Sequence, residues 1–171
     1  MHLPFPDKVL GGVVAAYCYN HLENPVAGLR EARRVTAADG PVLASAYAQD
    51  DTHPVKAASE EALLEIGWSA PPFYRDLRSA AVPKLATVQR AEAAARSAGL
   101  REVSVEALRV PFPDLTVDDL IDWRLGMAHI AWFVAQLAPR TRAGVVTRIR
   151  QLLGDHVPML VRSVIHITAL A

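Results

Sequence analysis

The apolar positions of this chain follow two spacings in turn. Residues 9–19, centred on Val13, Val14, Ala15 and Ala16, form a nearly unbroken apolar run, the pattern of a parallel strand covered on both faces. Pro4, Pro6 and Asp7 are turn formers that mark where this strand begins. The spacing then becomes helical, with Val26, Leu29 and Ala32 on one side and Arg30, Glu31, Arg33 and Arg34 on the other. Asn24 can accept hydrogen bonds from the free N–H groups of the first turn, and Pro25 at the first helical position sacrifices no bond. The helix is expected to run to about Ala38 and to end on a left-handed Gly40. Residues 41–48 read as a second buried strand, completing a strand, helix, strand unit with a right-handed crossover.

Beyond Ala48 the pattern is less regular. Ser59 to Ile66 suggests a short helix, and Pro71, Pro72 and Pro83 break the stretch up to the next one. An Ala-rich helix spans about 85–98 and stops at Gly99, and residues 100–110 alternate as a strand. Thr116 caps a further helix whose first turn carries Asp118 and Asp119, favourable at its positive end. Between Met127 and Ala138 that helix turns apolar almost all round, so it is expected to be buried or to line a cavity. Pro139 stops it, a basic amphipathic helix covers residues 141–153, and residues 159–169 form a last strand. The whole reads as one domain over residues 1–171 with a helical cover over 114–156.

Composition narrows the chemistry. With 51% hydrophobic and 21% charged residues in 171, the chain can bury a core. Eighteen basic and eighteen acidic side chains cancel, so no cationic surplus points to nucleic acid or anionic lipid. The lone Cys18 reads as a small buried thiol, and the absence of a signal-like start or a long apolar span implies a cytoplasmic location. His2, His53 and His156 lack partners at metal-ligand spacing, so no metal site is expected, and His166 reads as a strand-face residue. Asp50 and Asp51 come after a strand end, where a solvated loop is favoured over a ligand contact.

The order of segments is more telling than any one motif. Leu3-Pro4-Phe5 before a buried strand, His21-Leu22 with Asn24-Pro25 at a helix start, Glu31 and Arg34-Val35 within that helix, and Ala98-Gly99-Leu100 after a later one all stand in sequence. Together they resemble the second half of a class I S-adenosylmethionine-dependent methyltransferase of the small-molecule type. The resemblance implies an α/β fold: a partial Rossmann-like sheet with flanking helices and a helical insertion. Of the family's strand order 3-2-1-4-5-7-6, this chain would supply only 4-5-7-6.

The resemblance also implies S-adenosylmethionine as cofactor, with Leu3, Ala16, Tyr17 and His21 as this half's share of its site and His21 as the candidate base. His129, Trp132 and Phe133, on the apolar helix, are the candidate substrate contacts. The glycine-rich turn and the ribose-binding acid of the family belong to its first half, which would lie before Met1, and no Gly-x-Gly occurs in the chain. Leu10-Gly11 stands where the family usually has Phe-Asp.

The expected function is therefore methyltransferase-like, on a small-molecule acceptor, and inactive for the isolated chain. The alternatives are a non-enzymatic oligomeric binding or interaction protein on the same half-fold, and a full-length enzyme whose start lies upstream. With its family neighbour missing, the strand over Gly12 to Tyr19 is expected to be an apolar edge that recruits a second copy or a partner chain.

Overall fold

In a computed structural model, which describes residues 2–171, four strands form one sheet in the order β1-β2-β4-β3. The strands are β1 (Val13–Ala16), β2 (Pro41–Tyr47), β3 (Arg101–Phe112) and β4 (Leu160–Leu170). β1 runs parallel to β2, with Val13 opposite Val42 and Ala16 opposite Ser45. β4 is antiparallel to β2, with Pro41 opposite Leu170 and Tyr47 opposite Val164. Numbered as in the methyltransferase sheet, the order is 4-5-7-6, as the sequence resemblance implied.

Residues 2–51, 76–110 and 162–171 pack as one compact unit, and residues 52–75 and 111–161 as a second. In the first, α1 (Pro25–Val35) and α4 (Val88–Ser97) cover one face of the sheet, with Leu29, Ala32 and Ala95 against Val42, Ile165 and Ile167. Asn24 caps α1 as expected, its Oδ1 accepting from the Ala27 N–H at 3.0 Å. The helix ends earlier than the sequence suggested, at Val35, because Thr36 turns extended. Its backbone bridges Leu10, and its hydroxyl donates to the Ala32 carbonyl at 2.7 Å. The left-handed residue is Asp39 (φ 61°), not Gly40. Gly40 is needed for space instead: a Cβ there would stand 2.8 Å from the Gly11 carbonyl oxygen.

The strand after the opening loop is shorter than the apolar run, and it is not covered on both faces. Val13 and Ala15 point into the core, whereas Val14 is 75% exposed and Ala16 is exposed, because β1 is the edge of the sheet. Cys18, expected inside, is exposed in the turn just after the strand.

The second unit is helical. It holds α2 (Pro54–Leu64), α3 (Pro72–Asp76, its start), α5 (Val117–Leu125), α6 (Ala128–Ala135) and α7 (Pro139–Leu153) around Leu63, Ile121, Ile130 and Ile149. Thr116 and Asp119 form a reciprocal capping box at the start of α5. The helix expected to run on from Thr116 through the apolar stretch instead breaks at Gly126–Met127, and Trp132 on α6 is 76% exposed. A short helix needs only one side, here Ile130 and Val134, to join a core. Between α3 and α4 a π-turn (Leu77–Ala81) and a 3-10 turn (Val82–Leu85) fill the proline-broken region. No described helix is long and apolar enough to cross a membrane.

The opening segment is held to α1 by one acid. Glu31 Oε1 accepts from the Leu3 N–H at 2.7 Å and from Arg34 Nη2 at 2.6 Å, and Oε2 accepts from Arg34 Nε at 2.9 Å. The Arg34 hydrogen bonds, then the Leu3 amide, lower the Glu31 pKa from 4.5 to about 2. A lowered folded-state pKa stabilises above the unfolded value and is lost as pH falls through the folded one. Glu31→Gln is therefore expected to lower the melting temperature at neutral pH. The gap between variant and wild type should narrow below about pH 4.5 and close near pH 2, read from thermal melts across that range. A gap independent of pH would assign the loss to packing instead.

Candidate ligand site at the carboxyl ends of the strands

In open α/β sheets, ligands sit where parallel strands end. At this end Tyr17 leaves β1 with φ 50°, a left-handed conformation unfavourable for an aromatic residue. It is held there by β2, since its N–H donates to the Ser45 carbonyl at 3.0 Å and meets Ser45 Oγ at 3.2 Å. The bend lays its ring on Tyr47, with centroids 4.4 Å apart and planes 23° from parallel.

Tyr47 is in turn met by the Arg162 guanidinium, 4.0 Å from its ring centre. Arg162 grips Asp51 with both arms, Nε to Oδ1 at 2.9 Å and Nη2 to Oδ2 at 2.8 Å, and the Ser163 N–H adds a third bond to Oδ1 at 3.0 Å. Both side chains are largely out of water, at 4% exposure for Asp51 and 13% for Arg162. Burial, the largest single influence, works to lower the Arg162 pKa, but the hydrogen bond and charge of Asp51 together with Tyr47 outweigh it and the net movement is upward. Burial, then the neighbouring Tyr47, pushes the Tyr17 phenol up. Both phenols of the turn are thus poor acids at neutral pH, because burial, together with the nearby Cys18, raises Tyr19 to about 12.

The turn Tyr19–His21 carries one anomaly. Asn20 is 3% exposed, and its Oδ1 has no hydrogen-bond partner among the described residues. An unmet buried acceptor costs about 1–3 kcal/mol. Beyond the turn, an open groove of about 1030 Å³ runs from Glu23 and Asn24 past Pro83 to Arg90 and Ala94. Its cations are engaged by the chain itself, Lys84 with the Glu23 carbonyl and Arg90 with the Pro83 carbonyl at 2.8 Å.

The structure brings together some of the residues the sequence singled out. Ala16, Tyr17 and His21 share the end of β1, with Ala16 and His21 exposed. Leu3 departs from the group. Its N–H and carbonyl are bound by Glu31 and Arg34, toward the far end of α1. His129, Trp132 and Phe133 share α6 but not one environment. His129 is buried with its ring stacked 3.6 Å from Tyr74, and its carbonyl accepts from Trp68 Nε1 at 3.3 Å; Trp132 is exposed, and Phe133 packs on the helical core. Among the described residues no cluster of three His, Cys, Asp or Glu has metal-ligand geometry.

Sequence reading missed Tyr47, Arg162 and Asp51. The signal was weak: an acid read as a solvated loop residue and an arginine 111 positions away.

No family model matches the chain, and no curated protein does. Solved structures do resemble it. A protein from Anabaena variabilis, assigned as a methyltransferase of an antibiotic biosynthesis pathway, superposes with a TM-score of 0.54 at 14% identity over 96% of this chain and 69% of its own. The YcgJ protein of Bacillus subtilis gives 0.52 at 15% identity over 98% and 66%. A protein of Bacillus halodurans assigned as a methyltransferase gives 0.51 at 15% over 99% and 73%. The neighbours are longer than this chain, and its four strands take the order of the second half of the methyltransferase sheet. By fold, the chain is a methyltransferase-like α/β sheet confined to strands 4-5-7-6 of that architecture.

Proposed function

We propose that this chain is a methyltransferase-like protein for a small-molecule acceptor, in which Ala16, Tyr17 and His21 form one wall of an S-adenosylmethionine site. The observation that carries this reading is the left-handed Tyr17 at the end of β1, in a sheet whose order is that of the methyltransferase half-fold. Strained residues persist where the surroundings over-determine them, and they gather at ligand sites.

The residues present do not make a complete cofactor site. The ribose of such a cofactor needs a free acceptor, yet the Asp51 carboxylate already receives Arg162 and Ser163 on its two oxygens. The chain has no Gly-x-Gly turn for close backbone approach. Activity of the isolated chain is accordingly not expected, His21 has no established catalytic part, and the remaining wall would come from another chain paired at the β1 edge. His129 and Phe133 would contribute to an acceptor pocket only if α6 shifts to open it. A non-enzymatic binding role on the same scaffold is the second reading, favoured by the exposed, uncharged edge at Gly12–Ala16.

Titration with S-adenosylmethionine separates the two. Calorimetry is expected to show no micromolar site, which would correspond to roughly −8 kcal/mol. At millimolar cofactor, amide resonance shifts should concentrate in residues 16–21. Shifts scattered over the chain, or none, would favour the non-enzymatic reading, and a micromolar constant would mean that the site is already complete.

A further inference from the structure

The groove between the start of α1 and α4 holds charge that the chain does not neutralise. Lys84, on the 3-10 turn, reaches across it, and its ammonium donates to the Glu23 carbonyl. Arg90, on α4, donates from Nη1 to the Pro83 carbonyl at 2.8 Å, so it is anchored at the residue before Lys84. At the Ser97 end, Arg30 Nη2 donates to the Ser97 carbonyl at 3.3 Å. Carbonyl oxygens fix these three side chains without cancelling their charge. Among the described residues none of the three stands in an ion pair, and the first turn of α1 holds no acid. Glu23 also lines the groove, but its carboxylate is paired with none of them. Lys84, Arg90 and Arg30 against Glu23 leave two positive charges in excess.

We infer that this groove binds a small phosphate monoester, with the phosphate group held by Lys84 and Arg90 and the organic part lying over Val26, Pro83 and Ala94. An ammonium carries three donors and a guanidinium five, and each spends only one on a carbonyl. The rest are available to an oxyanion, which takes the planar fork of Arg90 and the point charge of Lys84 together. A phosphate monoester carries about −1.5 to −2 charge at neutral pH and matches the excess, whereas a carboxylate would leave part of it uncancelled. The carbonyl bonds already restrict two long side chains, so less rotamer freedom is lost when the ligand arrives. At about 1030 Å³ the groove has room for more than the phosphate, and Val26, Pro83 and Ala94 offer that remainder an apolar surface. None of Ala16, Tyr17 and His21 lines it, so the site goes beyond the cofactor wall and does not rest on it.

The inference is tested by titrating the full chain with phenyl phosphate at millimolar concentration, at an ionic strength held constant with sodium chloride, while its amide resonances are followed. Saturable shifts are expected in residues 23–27 and 84–97. Lys84→Gln and Arg90→Gln should each raise the dissociation constant about fivefold or more, and Glu23→Gln, which removes a repelling carboxylate, should lower it about twofold. The three side chains are exposed, so each variant should keep the wild-type circular dichroism spectrum. Benzoate, with the same ring and a single charge, should bind more weakly than phenyl phosphate. An absence of saturable shifts, shifts spread equally to exposed arginines elsewhere such as Arg109 and Arg142, a constant indifferent to Lys84→Gln and Arg90→Gln, or benzoate binding as tightly as phenyl phosphate would each overturn the assignment. None of these outcomes bears on the cofactor titration, so the two readings fail separately.

Discussion

Replacing Arg162 with alanine is expected to cost about 3–5 kcal/mol of stability, among the largest effects any single substitution should have in this chain. The size reflects the group left behind. Asp51 is 4% exposed and receives both arms of Arg162, so removing the guanidinium strands a carboxylate that water cannot easily reach. Tyr47 loses the cation 4.0 Å from its ring centre in the same step, and Tyr17 loses the support of its stacking partner. Urea denaturation should show the midpoint fall with little change in slope. The near-ultraviolet circular dichroism of the tyrosines should weaken together with it. A loss under about 1 kcal/mol would place this pair with ordinary surface ion pairs and remove its role in holding the carboxyl ends of β1 and β2.

In α6, Ile130→Ala is expected to cost about 2–5 kcal/mol, whereas Trp132→Asp should change stability by no more than about 0.5 kcal/mol. The two residues stand two positions apart in a sequence apolar on every side, which gave each the same expectation of burial. In the fold Ile130 is fully buried among Leu63, Ile121 and Ile149, and Trp132 is 76% exposed. Thermal melts of both variants check the contrast. Equal destabilisation would mean that Trp132 is covered by another chain in solution.

The strand, helix, strand opening was legible because each of its signals is local. Asn24 and Pro25 announce a helix start by their own chemistry, and Thr116 with Asp119 does the same for α5. The order of segments carried the sheet topology, because sequential α/β connections leave few alternatives. The features that could not be read are those that depend on position within the sheet. Val13 and Val14 look alike in sequence, and only the place of β1 at the edge puts one in the core and the other in water. The Tyr17, Tyr47, Arg162 and Asp51 assembly joins residues from three separated segments, and no spacing rule connects an acid after β2 to an arginine in β4. The apolar stretch after Met127 misled because composition reports how much can be buried, not where a helix breaks.

The sheet order also sets the sequence of events when the chain is made. β1, α1 and β2 are neighbours in sequence and in space, so they can associate once the first fifty or so residues are free. The second edge of β2 has no such local partner. Pro41 waits for Leu170 and Tyr47 for Val164, strands separated by nearly the whole remaining sequence. During synthesis the central strand would therefore sit half-paired until β4 clears the ribosome, with an uncharged backbone edge exposed in the meantime. Loss of the last ten residues should consequently be far more harmful to soluble yield than their number suggests, because it removes the strand that closes the middle of the sheet.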